Sequence, residues 1–504
     1  MTNRTKSLLC TAMLWTAASV LQAQSVRWIS STEGQVWKET KVKMQASAPQ
    51  TPLLEVEGTE QGTLFRHWGT TFNELCWDAL SVLSRNEQDE ILFNFFDPQG
   101  DLRFTRGRIS LGANDYARSW YSCDEMEGDF ELRYFNIERD KQAVIPYIRA
   151  AQKYNPDLTF WISPWCPPSW MKINGDYPVL SSPYNRLPEK MNYLLYGSSD
   201  AQTDPDEMKL TGERDGVFPR RLATTDFMIQ DPRYLQTYAN YFCRFIDAYA
   251  GQGIPIDMVM YQNEAYSYTP YPGCAWTAAG TIRFNKEYLA PTLKRLHPEV
   301  KLYLGTFNTN RKDHVESILA DEGLREVICG MGFQWEGREI LPAIRAQHPE
   351  WEYISSESEC GWGSFDWPAA EHTFELMNHY LGNGCSEYNF WNGILADKGE
   401  SAWGWKQNAL IHVDSQSRTF TYTPEYYAVK HYSQAMAPGC HVLAYAPERK
   451  EMRIPVLVVR TTQGKLAVMA GNFGDAAQTL TLKLQGRYLS VSLAAHSMNT
   501  FLMQ

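Results

Sequence analysis

Between residues 66 and 394, short apolar runs alternate with longer amphipathic stretches. The apolar runs fall at 66–72, 104–112, 158–165, 256–264, 302–307, 327–335, 352–357 and 386–394. Each has the length of a strand buried on both faces. Helical patterns lie between them: one continuous run over 74–96, and another over 233–253 that ends in glycines. Eight strands with intervening helices predict an α/β fold, a closed (β/α)8 TIM barrel. The stretch 173–232, rich in Pro, Asp and Ser, follows the third strand and reads as an insertion on the active face, a lid or a substrate wall. From about residue 440 the pattern changes to short alternating strands with turns, which predicts a C-terminal antiparallel β-sandwich. Residues 26–45 alternate in the same way and are expected to add strands to that sandwich. The expected organisation is a leader at 1–24, N-terminal strands of the sandwich at 25–64, the barrel at 65–436 and the sandwich at 437–504.

The leader reads as a signal peptide. Arg4 and Lys6 precede the 14-residue apolar run "LLCTAMLWTAASVL", which is short for a membrane span, and "LQAQS" offers cleavage after Ala23. An exported protein is therefore expected, periplasmic, cell-surface or secreted, with no stable membrane insertion. A net charge of −11 argues against nucleic acid or anionic lipid as partner and suits a neutral substrate. The cysteines beyond the leader show no C-x-x-C pair and no zinc spacing, and read as small buried hydrophobes. With no H-E-x-x-H, Walker loop or G-x-G-x-x-G after a strand, no metal and no cofactor are expected. The 17 Trp and 28 Tyr suit a protein that stacks sugar rings.

In a barrel of this kind, chemistry sits at the C-terminal ends of the strands. Those ends carry Arg108, followed by Asp115, then Trp165, Asn263, Glu264, Gln334, Trp335, Glu357 and Trp391. Glutamates at the ends of the fourth and seventh strands face each other across the barrel, the arrangement a retaining glycosidase requires: one protonated acid and one ionised nucleophile. Plainer readings exist for several of these residues. Trp165 and Trp391 suit a core equally well, and Arg108 with Asp115 suits a structural ion pair. The stretch "YISSESECGW" holds two acids, Glu357 and Glu359. They differ by about 6.8 Å in height along a strand, so only one reaches the partner carboxyl. Glu357 closes the apolar run and is expected to be the nucleophile, with Glu359 at the rim or behind it.

The motifs "GTTFNELCWDAL", "RISLGANDYARSWYSCDE", "WISPWCPPSWMK", "YQNEAY", "SSESECGWG", "YNFWNG" and "WGWKQNALIHVD" together resemble glycoside hydrolase family 30, of the glucosylceramidase and β-1,6-glucanase kind. The resemblance runs from about residue 65 to 504. It implies that Glu264 is the general acid/base, Glu357 the nucleophile, and Asn263 the residue that holds the sugar 2-hydroxyl. It implies sugar contacts for Asp115, Trp165, Trp391 and Asn408, with Arg108, Gln334 and Trp335 around the pocket. Gln334 stands where the family often has His. The implied activity is retaining β-glycoside hydrolysis, with β-1,6-glucan or a related β-glucoside favoured. The alternatives are β-fucosides, β-galactans or xylans as substrates, or a catalytically inactive carbohydrate-binding barrel.

Overall fold

A computed structural model describes residues 25–197, 222–447 and 453–504. The leader assignment and part of the 173–232 insertion lie outside the described residues. Strands β1 (Ser25–Thr32), β2 (Gln35–Lys43), β3 (Leu54–Val56) and β4 (Thr63–Leu64) precede the barrel. The barrel strands are β5 (His67–Thr71), β6 (Arg106–Ser110), β7 (Thr159–Ser163), β8 (Ile256–Met260), β9 (Lys301–Phe307), β10 (Gly330–Phe333), β11 (Glu352–Ser355) and β12 (Cys385–Asn392). They close in sequence order, each parallel to the next, with β12 returning to β5. Six of the eight fall within the apolar runs of the sequence, and β9 and β12 each begin one residue before theirs.

The barrel is filled, not hollow. Trp161, Met258, Met260, Tyr303 and Ile354 form a separate interior cluster. Above it Asn389 crosses the barrel, donating to the Ser355 carbonyl at 2.9 Å and accepting from the Trp161 indole at 3.4 Å. This crossing requires glycine at position 69, because a Cβ there would lie 2.2 Å from the Asn389 Oδ1. The site is built on this floor.

The run 74–96, expected as one helix, is two: Glu74–Val82 and Arg85–Phe96. Between them Ser84 forms a capping box with Glu87, with the Ser84 N–H donating to the Glu87 carboxylate at 2.9 Å. Satisfying the first amides of the second helix outweighs continuing the first. The expected helix at 233–253 spans Pro232–Ala250, capped by Asp231.

Three strands follow the barrel as a small sheet: β13 (Ile394–Ala396), β14 (Ile411–Asp414) and β15 (Thr419–Tyr422). The sandwich strands are β16 (His441–Ala446), β17 (Val456–Arg460), β18 (Leu466–Asn472), β19 (Gln478–Leu484), β20 (Arg487–Leu493) and β21 (Ser497–Met503). One sheet runs β2-β1-β21-β18-β17-β16-β4 and the other β20-β19-β3. The first strand pairs antiparallel with the last, with Val26 opposite Met503. Val26, Val458, Val468, Leu480, Leu482 and Phe501 pack between the sheets. The large sheet also seats the helix Pro424–Ser433, whose His431 contacts the Thr500 and Ser31 hydroxyls at 2.8 Å each. All nine described cysteines are unpaired; eight are buried and Cys329 is exposed.

Burial lowers the His431 pKa from its ordinary 6.5 to about 3, so the fold holds it neutral. The unfolded chain protonates it at higher pH, so its contribution to stability is present above pH 6.5 and is lost as pH falls toward 3. His431→Ala is expected to cost about 1–3 kcal/mol by urea unfolding at neutral pH, because two buried hydroxyls each lose a hydrogen bond to the ring. The same change should cost less at pH 5. An equal loss at both values would refute the assignment.

Candidate active site

The two glutamates reach the pocket by different backbone devices. Past β8, the Asn263 amide donates to the Pro164 carbonyl at 2.7 Å, tying the β8 loop to the β7 loop. Glu264 then takes a left-handed backbone conformation, φ 46°, and its N–H donates to Thr306 Oγ1 at 3.1 Å. A non-glycine residue held there points to a backbone constrained by its surroundings. Past β11, the Ser356 N–H donates to the Phe333 carbonyl at 3.0 Å, which carries the strand's direction one residue further and delivers Glu357 inward.

Arg108 lies beneath both acids and is fully buried. Its Nη1 donates to Glu357 Oε2 at 2.6 Å and to the Ser356 carbonyl at 3.4 Å, its Nη2 to Asn263 Oδ1 at 2.6 Å and to Ser163, and its Nε to Ser163. Three indoles surround the guanidinium, those of Trp165, Trp161 and Trp391, at 4.4, 4.8 and 5.2 Å. Arg108 does not form the structural ion pair with Asp115; its carboxylate partner is Glu357. The other Glu357 oxygen accepts from the Trp335 indole at 3.0 Å. Among the described residues no cation is in contact with Glu264; its Oε1 accepts from the Gln334 amide at 2.9 Å.

These surroundings separate the two acids. Burial, then the charge of Glu357, pushes the Glu264 carboxyl up to about 8. Burial also raises Glu357, but Arg108 and the Trp335 N–H pull it back. Of the two, Glu357 keeps the negative charge. Asp115, also buried, is raised well above the usual carboxylate range by burial and by both glutamates. Three buried carboxyls lie near a single guanidinium, and only Glu357 is bonded to it.

A pocket opens beside the two glutamates, at the C-terminal ends of the barrel strands. Of the residues expected there, Asp115, Trp165, Asn263, Glu264, Trp335 and Glu357 line it. Arg108 and Gln334 sit below as supports. Trp391 stacks behind Trp165 at 5.1 Å, with rings inclined at 26°. Asn408 is a correction: it is fully buried away from the pocket, its Oδ1 accepting from the Phe365 N–H at 3.2 Å and its own N–H bound to the Cys360 carbonyl. It ties two loops together, and its neighbour Gln407 lines the pocket. Glu359 turns outward, paired with Arg338 and with His372 at 2.8 Å.

Four lining residues were missed: Tyr271, Trp362, Trp405 and Gln407. Each lies on a loop, where strand periodicity gives no signal. Trp362 and Trp405 stood within quoted motifs, and their ring centroids are 5.0 Å apart at the mouth. The described part of the insertion backs Tyr271: Val179 and Leu180 both donate to the Thr269 carbonyl at 3.0 Å, and Asn185 donates to the Pro270 carbonyl at 2.9 Å. Among the described residues, no group of three His, Cys, Asp or Glu side chains is placed to hold a metal ion.

A closed parallel barrel with two buried, electrostatically distinct carboxyls at the ends of its fourth and seventh strands defines a glycoside hydrolase. The chain belongs to glycosyl hydrolase family 30, whose TIM-barrel domain model matches residues 65–181 and 203–436. Its substrate is a carbohydrate. It is 24% identical to the lysosomal acid glucosylceramidase of Mus musculus, over 89% of this chain and 83% of that one. It shares the fold of SrfJ from Salmonella typhimurium, with TM-score 0.79 and 19% identity over 95% of this chain and 99% of that one. The endo-β1,6-glucanase BT3312 matches at TM-score 0.74 and 20% identity, with the same coverage. No helix among the described residues is long and apolar enough to cross a membrane.

Two outcomes follow from this geometry. Glu357→Gln is expected to abolish turnover, whereas Glu359→Gln keeps at least about a tenth of it, because Glu359 is paired with Arg338 and His372 outside the pocket and is not the nucleophile; initial rates decide. The kcat/KM profile should be bell-shaped, with the acid limb set by Glu357 ionising and an alkaline limb near the value of about 8 for Glu264. An alkaline limb unaltered in Glu264→Gln would assign that limb to another group.

Proposed function

We propose that the protein is a retaining β-glycosidase acting on β-glucosidic linkages, with β-1,6-glucan or a related β-glucoside as substrate. One observation carries this reading: of two buried carboxyls in one pocket, Glu357 is held by a guanidinium and an indole N–H, and Glu264 by a neutral amide. Glu357 Oε attacks the anomeric carbon while Glu264 gives its proton to the departing glycosidic oxygen. This leaves a glycosyl ester on Glu357 and a carboxylate on Glu264. Glu264 then takes a proton from water, whose oxygen attacks the same carbon and releases Glu357. Two inversions return the β configuration.

The pocket supports binding of one sugar ring. Asn263 Oδ1 already receives Arg108, Thr306 and Gln334, which leaves its NH2 for a substrate hydroxyl. Among the described residues Asp115 Oδ1 is buried without a partner, a cost of about 1–3 kcal/mol that a sugar hydroxyl would relieve. Glucose is favoured because two of the related proteins are named as a glucosylceramidase and an endo-β1,6-glucanase. A catalytically inactive binding barrel has no use for two crowded carboxyls held in different protonation states. The leader pattern at residues 1–24 supports an exported enzyme.

Product followed by NMR should appear first as the β anomer; an α anomer would sink the double displacement. Glu357→Ala with azide should yield an α-glycosyl azide, and Glu264→Ala with azide a β-glycosyl azide from a dinitrophenyl glycoside. Aryl β-glucosides and β-1,6-gluco-oligosaccharides should be turned over faster than the corresponding fucosides, galactosides and xylosides. A preference for any of the latter would replace glucose in the reading.

A further inference from the structure

The hydrogen bonds under the two acids have fixed directions, because one end of the chain can only donate. Arg108 carries no acceptor. Its Nη2 therefore makes the Asn263 atom 2.6 Å away an oxygen. The Gln334 atom 3.2 Å from that same oxygen must then be the amide nitrogen. This nitrogen also faces Glu264 Oε1, at 2.9 Å. Two neighbours agree with the assignment. The Thr306 hydroxyl accepts from the Glu264 N–H at 3.1 Å, so its proton is directed to Asn263 Oδ1 at 3.3 Å. The Ser356 hydroxyl lies 2.8 Å from Gln334 Oε1 and supplies it with a donor. Turning the Gln334 amide over would place oxygen against oxygen at both Asn263 and Glu264.

We propose that Gln334 is a positioning residue that holds the catalytic proton on Oε2 of Glu264: Arg108, acting through Asn263 and Gln334, presents Oε1 with an N–H at every stage, so Oε1 never carries the proton. The proposal rests on Glu264 being the acid/base. In the first half-reaction the proton on Oε2 passes to the glycosidic oxygen as its bond to the anomeric carbon breaks. In the second half-reaction Oε2 takes a proton from the attacking water. The bond from Gln334 to Oε1 is kept through both steps, so the donor set needs no reorganisation as the charge on Glu264 appears and disappears. An amide does this without titrating near neutral pH, which an imidazole in its place would not. Gln334 also favours the carboxylate form, opposing the rise that burial and Glu357 impose.

Gln334→Leu keeps the volume and removes the donor; Gln334→Glu keeps the shape and puts acceptors where the donor was. Both are assayed with an alkyl β-glucoside, which needs the proton, and with a dinitrophenyl β-glucoside, which does not. The expected result is a loss in kcat/KM about tenfold or more greater on the alkyl than on the dinitrophenyl substrate, together with an alkaline limb moved to higher pH. Either variant alone is decisive if the other fails to fold. Equal losses on both substrates with an unmoved alkaline limb would show a merely structural glutamine and overturn the proposal. Glu264→Ala is run beside them with azide. If it gives no β-glycosyl azide, the acid/base assignment fails and the proposal with it; if it does, a negative Gln334 result counts against the proposal alone.

Discussion

The site depends on one buried cation. Arg108 sits at the centre of the barrel's upper end, out of contact with water, with Glu357 as its ionic partner. Burying a guanidinium and a carboxylate is costly, and the pair offsets that cost only if every N–H finds an acceptor. Ser163, Asn263 and the Ser356 carbonyl complete the set, and three indole faces take the place of solvent. Taking away either charge would leave the other uncompensated in a dry interior, worth about 3–5 kcal/mol. The same cation creates the inequality between the acids. It pulls Glu357 down against burial, and burial together with the Glu357 charge raises Glu264.

The barrel beneath exists to hold Arg108 at this height. Asn389 and the cluster of Trp161, Met258, Met260, Tyr303 and Ile354 occupy the interior. The Trp161 ring lies under the guanidinium and also donates to Asn389. A shorter side chain at any of these places would open a void under a charge. Above, the loops after β8 and β11 and the loop between β13 and β14 meet over the pocket, and their aromatic rings narrow its mouth.

Much of this was legible in the sequence, for a definite reason. A parallel barrel strand is buried on both faces, so it appears as an apolar run, and the first polar residues after it are those that face the site. Glu264 and Glu357 are of this kind, while Arg108 is a charge within β6 itself. What was not legible lies where the chain leaves the strand pattern. Tyr271, Trp362, Trp405 and Gln407 are placed by loop-to-loop contacts, which have no period. The exchange of Asn408 for Gln407 is a one-residue matter of which side chain turns inward, decided by bonds to Phe365 and Cys360. The break at Ser84 was written as a Ser-x-x-Glu cap, but the apolar run across it looked continuous. The separation of Glu357 from Glu359 rested on height along a strand, whereas the chain has already left the strand at Ser355, and a cationic rim turns Glu359 away.

The pairing of β1 with β21 bears on the order in which the chain assembles. The Trp28 indole donates to Asn499, a partner 471 positions later. At ribosomal rates of about 5–20 residues per second, β1 waits on the order of half a minute to a minute and a half for its neighbour to be made. During that time it has only β2 beside it, and its other edge offers open backbone donors and acceptors. β2 is dense in charge, with Lys38, Glu39, Lys41 and Lys43, which discourages a second chain from adding to the hairpin's outer side. The inner edge has no such guard. The nascent chain is therefore exposed to mispairing at the inner edge of β1 until β21 has been made.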